Sequence, residues 1–235
     1  MQASHLHTIK GLLLDLDNTL YFYEPSHKAA LNHIFLLIQQ KKGLSVSILL
    51  GAYEAAKQQV KHRLHATAAS HHRLLYLQGM LEQLGIFSSR LAHELYQEYW
   101  KTFLSTMKPL PGVKETLPRL AHTYKIGIVT NFIADIQYLK LDRLGLSESI
   151  HTLTTSEEVG CEKPDQKIFL AACKKMQLRP EELCMVGDDL GADIIPAHQL
   201  GMDTYWVLPD SNYSQAEHSL FNPCSTFHEH EKRLL

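Results

Sequence analysis

The sequence predicts an α/β protein: a doubly wound parallel sheet with an inserted α-helical cap. Three observations carry this expectation. Short apolar runs with little alternation occur at Ile9–Leu14, Ile126–Thr130, Leu183–Gly187 and Asp203–Val207, with a weaker one at Ile150–Thr155. Such runs are the pattern of strands covered on both faces. Helical stretches alternate with the later runs, and strand–helix alternation implies parallel strands joined by crossovers. Between Glu24 and Lys108 the β-type runs vanish and helical periodicity replaces them.

Taken in order, Ile9–Leu14 is the first strand. The helical block follows. Leu31, Ile34, Phe35 and Ile38 share one helix face at i, i+3, i+4, i+7. Gly51–Arg63 is a further helix. Leu74, Leu77, Leu81 and Leu84 form another stripe, ended by Gly85, and Leu91, Leu95 and Tyr99 begin the last. The block closes at KPLPG, Lys108–Gly112, a Pro/Gly boundary. After it, helices are expected at Val113–Tyr124, at Ile133–Leu144 ending on Gly145, at Pro164–Met176 and at Gly191–Leu200. Thr226–Leu235 reads as a final helix. The expected organisation is a core of residues 1–23 and 109–235, with residues 24–108 as the cap.

The 235 residues, 45% of them hydrophobic, suffice for one substantial core plus a smaller lid. A net charge of −2 offers no basic field for nucleic acid or a membrane surface. No uncharged apolar run approaches the ~20 residues of a membrane span. The start, MQASHLHTIKG, carries no apolar segment of a secretory signal. Cys161, Cys173, Cys184 and Cys224 form no CxxC pair and read as reduced thiols. A cytoplasmic protein acting on a small molecule is expected.

In an open parallel sheet, ligands bind beyond the carboxyl ends of the strands. After the first strand come Asp15 and Asp17, in LLLDLDNTLYFYEP. After the second come Thr130 and Asn131. After Leu183–Gly187 comes GDDLGAD, with Asp188, Asp189 and Asp193, and EKPD supplies Lys163 ahead of the Pro164 helix. Several carboxylates in one pocket raise one another's pKa values, and a hard divalent cation such as Mg²⁺ relieves this. The same cation, a hydroxyl and a lysine suit a phosphoryl group, whose transfer depends mainly on positioning and charge stabilisation. Residues i and i+2 of an extended chain point to one side. Asp15 and Asp17 are therefore expected to face one substrate together, one attacking phosphorus and the other moving the proton.

These motifs, in this order and over nearly the whole chain, resemble those of the haloacid dehalogenase-like hydrolase superfamily. DLDNT is similar to its first motif, VTN to the second, Lys163 to the third and GDDLGAD to the fourth. The helical insert sits where that family places a C1-type cap. The resemblance implies Asp15 as nucleophile and metal ligand, and Asp17 as general acid/base with its backbone carbonyl on the metal. It implies Thr130 and Asn131 on phosphate oxygens, Lys163 on phosphate and Asp15, and Asp188 and Asp193 on Mg²⁺. Whether Asp189 is also a ligand is left open. The expected activity is Mg²⁺-dependent hydrolysis of a small soluble phosphomonoester through an aspartyl-phosphate. DLDNTLY with a helical cap resembles pyrimidine 5′-nucleotidase-type and N-acylneuraminate-9-phosphatase-type members, which places a nucleoside monophosphate slightly ahead of a sugar phosphate. A phosphomutase would keep the same motifs. A 2-haloacid dehalogenase would lack Asp17, Asp188 and Asp193.

His71 and His72 have no third ligand at metal spacing and read as exposed surface histidines, and His228–Glu229–His230 reads likewise. Tyr21, Phe22 and Tyr23 either pack beneath the cap or line its mouth. With His71–Tyr76 they are the candidate lining of a substrate pocket.

Overall fold

The computed structural model describes residues 9–207 together with the backbone of residues 222–224. Six strands form one parallel sheet: β1 (Gly11–Leu14), β2 (Lys125–Thr130), β3 (Thr152–Thr155), β4 (Leu183–Gly187), β5 (Asp203–Val207) and β6 (Asn222–Cys224). Their order is β3-β2-β1-β4-β5-β6, so β1 lies between β2 and β4. Chain direction across the sheet reverses at β1, which makes its carboxyl end the crevice where ligands enter such folds. The doubly wound expectation holds. β6 was not read from the sequence, because three residues containing a proline give no periodicity to detect.

Both faces of the sheet are covered, which is why Leu12, Leu13 and Leu14 are all fully buried. Successive side chains of a strand point to opposite faces. Leu13 packs with Ile168, Phe169 and Met176 of α8 (Gln166–Met176). Leu12 and Leu14 join the larger cluster that includes Leu117, Ile136 and the helical insert.

The insert between β1 and β2 has four helices: α1 (Tyr23–Lys42), α2 (Val46–Arg63), α3 (Arg73–Gln83) and α4 (Ser89–Thr106). Ser45 and Ser88 cap α2 and α4 through their hydroxyls, and α1 stops at Gly43, which adopts φ 71°. The buried stripe of α1 is the expected one, with Leu31, Ile34, Phe35 and Ile38 inside. That of α3 is rotated. Tyr76, Leu77, Met80 and Leu81 are buried, while Leu74 and Leu84 are only half-buried. An aromatic and a methionine fill the face that was read as leucine alone.

The remaining helices are α5 (Val113–Ala121), α6 (Ala134–Leu144), α7 (Ser156–Val159), α8 and α9 (Ile195–Gln199). The helix expected from Ile133 begins at Ala134, with Ile133 as its N-cap, and two further starts differ. The helix read from Pro164 begins at Gln166, because Asp165 caps it by accepting from the Lys167 N–H at 2.9 Å. The Gly191–Leu200 helix divides into a π-helical turn, Leu190–Ile194, and α9. The Thr226–Leu235 helix and His228–Glu229–His230 lie outside the described residues. Among those described, Cys161, Cys173 and Cys184 are free thiols, and no single helix is long and apolar enough to cross a membrane.

Phe103 on α4 is fully buried and packs against Tyr21, Tyr23, Tyr99 and Trp100, joining the insert to the segment that follows β1. Phe103→Ala is expected to lower the unfolding free energy by about 3–5 kcal/mol. Urea denaturation followed by circular dichroism checks this.

Candidate active site

Asp15 follows β1 directly, and Asp188 follows β4. The Asp15 N–H donates to the Val186 carbonyl at 2.9 Å, so the two carboxylates meet because their strands are neighbours. Asp193 is returned to the same point by the π-helical turn. Asp189 builds that turn: its Oδ1 accepts from the Gly191 and Ala192 N–H groups, both at 2.8 Å. The Asp189 side chain is thus engaged through Oδ1 as a cap. Gly187 leaves room for Asp193, because a Cβ there would stand 2.4 Å from Asp193 Oδ2. Asp15, Asp188 and Asp193 each offer one oxygen within 4.8 Å of the others.

Lys163 crosses this cluster. Its Nζ donates to Asp15 Oδ1 and to Asp193 Oδ1, both at 2.6 Å, and its side chain is only 4% exposed. Two of the three carboxylates share this one ammonium, and full ionisation of the cluster would leave two negative charges beyond it in a buried place. Burial, foremost, pushes Asp15 well above the usual carboxylate range, with Asp193 and Asp188 adding to it and Lys163 opposing. Burial and the charge of Asp193 raise Asp188 to about 7. Burial raises Asp193 as well, against Lys163. Burial works against the Lys163 charge, but Asp15 and Asp193 overcome it and lift its pKa. An all-oxygen set with two uncompensated charges fits a hard divalent cation.

Asn131 was expected on phosphate oxygens. Its side-chain amide is otherwise committed: Nδ2 donates to the Lys163 carbonyl at 2.9 Å, and Oδ1 accepts from the Lys163 N–H at 2.7 Å. That clamp engages both backbone groups of Lys163, while Asn131 itself lines the cavity beneath the insert and keeps a second Nδ2 hydrogen. Asn131 positions Lys163. Thr130 is buried at the end of β2, and its hydroxyl accepts from Gln137 Nε2, which leaves its own proton to donate. Thr19, absent from the sequence reading, places its hydroxyl 3.2 Å from Asp15 Oδ2 and 3.4 Å from Asp188 Oδ1.

Asp17 faces a different cation. Its Oδ1 lies 2.7 Å from Lys140 Nζ and also accepts from the Tyr21 hydroxyl. Lys140, on α6, has a side chain 1% exposed, while that of Asp17 is 31% exposed. Burial would raise the Asp17 pKa, but the Lys140 charge and hydrogen bond, with Tyr21 and Arg73 adding, bring it below the ordinary value. Burial lowers Lys140, against Asp17. Sequence reading missed Lys140, yet a signal existed. Ile136, Lys140, Leu141 and Leu144 form the buried face of α6, so a lysine interrupts an apolar stripe.

Between the insert and this edge of the sheet lies a cavity of about 670 Å³. Asp17, Asn131 and Lys140 line it from the core side, and Tyr23, His27 and Arg73 from the insert. The aromatic triplet divides accordingly: Tyr21 is buried, Tyr23 lines the cavity and Phe22 is 47% exposed. Burial pushes His27 down to about 3, with Arg73 and two lysines adding, so it is neutral beside its Tyr99 hydroxyl partner at 2.6 Å. His71 and His72 are not exposed as expected. Both are half-buried: His72 caps α3 by accepting from the Leu74 N–H, and His71 Nε2 stands 3.1 Å from Glu162 Oε1, beside Lys163.

A family profile described as haloacid dehalogenase-like hydrolase matches residues 12–207. The ribulose-1,5-bisphosphate 5-phosphatase of Halopiger xanaduensis is 38% identical over 211 residues, covering 88% of each chain. The glyceraldehyde 3-phosphate phosphatase of Methanopyrus kandleri is 34% identical over 202 residues, 83% of this chain and 82% of that one. The HAD-hydrolase YfnB of Bacillus subtilis, solved bound to magnesium, superposes with a TM-score of 0.73 at 22% identity, over 97% of this chain and 99% of its own.

A raised carboxylate makes metal-free stability pH-dependent. Between the ordinary carboxylate value and about 7, folded Asp188 holds a proton that the unfolded chain has released. Stability therefore falls as pH rises through that window. In thermal scans with chelator, the melting temperature is expected to drop from pH 5 to pH 7.5. Mg²⁺ at a hundredfold above its Kd should restore about 2.7 kcal/mol at the higher pH, a rise of roughly 5–10 °C.

Proposed function

The chain belongs to the haloacid dehalogenase-like hydrolase family, and from that premise we propose that it is a Mg²⁺-dependent phosphatase that hydrolyses a small soluble phosphomonoester through an aspartyl-phosphate on Asp15. The observation that carries this reading is the opposite setting of two carboxylates two residues apart. Asp15 sits in the buried acidic cluster on Lys163, and Asp17 faces the cavity on Lys140. The two settings separate the carboxylates by charge, the buried cluster raising Asp15 and Lys140 lowering Asp17, so a cation held in the cluster would be what ionises Asp15.

Asp15, Asp188 and Asp193 would hold the magnesium, with the backbone carbonyl of Asp17. The bound ion would neutralise the cluster and the phosphate oxygens, as a Lewis acid does in phosphoryl transfer. An Asp15 carboxylate oxygen attacks phosphorus, forming the O–P bond of an acyl phosphate as the bond to the leaving oxygen breaks. Asp17, ionised beside Lys140 in the free protein, takes up a proton as the phosphate dianion enters the cavity and passes it to that oxygen, then takes one from the water that attacks the aspartyl-phosphate. The Thr130 hydroxyl donates to a phosphate oxygen, and Lys163 balances charge on Asp15 and the phosphate. Asn131 fixes the backbone of Lys163. The insert acts as a lid whose cavity holds the rest of the substrate and excludes water. The two relatives above are named for phosphates of small sugars, which supports a sugar phosphate as the substrate class.

Asp15→Asn is expected to cut turnover of p-nitrophenyl phosphate with Mg²⁺ by roughly three orders of magnitude or more, with the circular dichroism spectrum unchanged. Activity retained in that variant would remove Asp15 as nucleophile. Lys140→Met takes away the charge that lowers Asp17. The alkaline limb of the kcat/KM profile, set by loss of the acid's proton, should then move to higher pH. A limb that does not move would separate Asp17 from leaving-group protonation.

A further inference from the structure

The cavity carries more positive charge than its own carboxylates can use. Each carboxylate that lines it has a lysine: Asp17 with Lys140 at 2.7 Å, Glu54 with Lys57 at 2.9 Å and Glu24 with Lys28 at 3.3 Å. Arg73 and Lys61 also line it, and neither has a carboxylate within ion-pair distance among the described residues. Lys61 is exposed at the mouth. Arg73 is held inside.

The partners of Arg73 are all neutral. Its Nε donates to the Tyr99 hydroxyl, one Nη1 hydrogen goes to the His71 carbonyl and one Nη2 hydrogen to the Tyr23 hydroxyl. A guanidinium has five N–H groups, so one on each terminal nitrogen remains. Aromatic rings support the charge without cancelling it. Cζ lies 5.9 Å from the Tyr23 centroid, 5.2 Å from Tyr76 and 5.7 Å from Phe132. A secluded cation without a counter-charge is costly, and a rigid fork of donors is the geometry that takes an oxyanion. Lys140 Nζ lies 5.2 Å from the same Phe132 ring and 6.0 Å from Tyr23. Arg73 and the Asp17–Lys140 pair thus share one aromatic wall, a separation that a small carbon skeleton spans.

We propose that Arg73 is an anion subsite, and that the substrate is a small phosphomonoester carrying a second anionic group, a phosphate or a carboxylate, which Arg73 binds while the reacting phosphoryl group lies at Asp15. This rests on the phosphatase reading above and names its substrate class. Lys61 would draw the same group in from the mouth.

The test separates the two ideas. Turnover of p-nitrophenyl phosphate by wild-type protein with Mg²⁺ reports on the phosphatase reading alone, since that compound has no second anion. The subsite is read by calorimetry on Asp15→Asn protein with Mg²⁺, using fructose 1,6-bisphosphate against fructose 6-phosphate and 3-phosphoglycerate against glycerol 3-phosphate. At least tenfold tighter binding of the doubly anionic member is expected in one pair or both. An advantage confined to the first pair identifies a phosphate, and one confined to the second a carboxylate. Adding Arg73→Gln should erase the advantage while leaving the singly anionic member within threefold. Equal affinity within both pairs, or binding of neither member of either, overturns the subsite. So does an equal loss on both members with Arg73→Gln, which would place Arg73 on the reacting phosphoryl group. Should Arg73→Gln not fold, Arg73→Lys, which keeps the charge and loses the fork, is expected to retain only part of the advantage; an undiminished advantage there overturns the role of the fork.

Discussion

One lysine ammonium held 2.6 Å from each of two buried carboxylates sets the geometry of the whole sheet edge. Asp15, Asp193 and Lys163 come from three separate segments, and a buried charge that loses its partner costs about 3–5 kcal/mol. The end of β1, the turn after β4 and the loop before α8 therefore have to close on one another. Asn131 adds the end of β2 by gripping both backbone groups of Lys163. The strand order makes this closure cheap in geometry, because β1 is the immediate neighbour of both β2 and β4. What remains after closure is more carboxylates than the one ammonium can pair, a crowding that protonation relieves in the metal-free protein and a bound cation would relieve in its place.

Electrostatic contrast follows from that placement. Asp15 and Asp17 are near neighbours in sequence, yet burial and surrounding carboxylates raise one while Lys140 lowers the other. In the proposed roles, the nucleophile lies in an overcrowded acidic cluster whose ionisation a bound cation would favour, and the acid/base group has its charge state set by Lys140 on α6. Family membership and this asymmetry describe the same chemistry from two directions, one from the order of motifs along the chain and the other from the charges around each carboxylate.

The parallel sheet, the insert and the convergence of Asp15, Lys163, Asp188 and Asp193 were legible because each rests on local patterning. Apolar runs mark strands, and a polar group just past a strand falls at the sheet edge by topology alone. Lys140 is not legible as a site residue, since it acquires its meaning from contacts far away in sequence and looks like any helix lysine until its register with Ile136 and Leu144 is considered. Arg73 falls within the expected lining His71–Tyr76, as do the cavity residues His71 and Tyr76, but nothing local singles it out as the buried cation. In its helix Leu77 and Leu81 are buried as the stripe predicts, while Tyr76 and Met80 take the places expected of Leu74 and Leu84. Asn131 was assigned to the ligand because its position beside Thr130 gives no hint that its side chain turns toward another loop. Asp189 shows the reverse: its capping geometry is local and was still ambiguous, because a carboxylate in an acidic motif serves a turn and a metal equally well on paper.

The attachment of the insert explains why these two kinds of residue meet. The insert leaves the core just after the first motif and returns at Pro109, and the two connections pair with each other: Tyr21 bridges to Pro109, and the Leu110 N–H donates to the Leu20 carbonyl at 2.9 Å. On the far side, Arg143 of α6 donates to the last carbonyls of α4, at Leu104 and Ser105. Lys140, one turn earlier on the same helix, reaches Asp17. A shift of α4 relative to α6 is therefore transmitted to the pair that governs Asp17, and Tyr21 joins the first connection to the same carboxylate. On the proposed mechanism, Tyr21 and α6 are the contacts through which the position of the insert bears on proton transfer at Asp17.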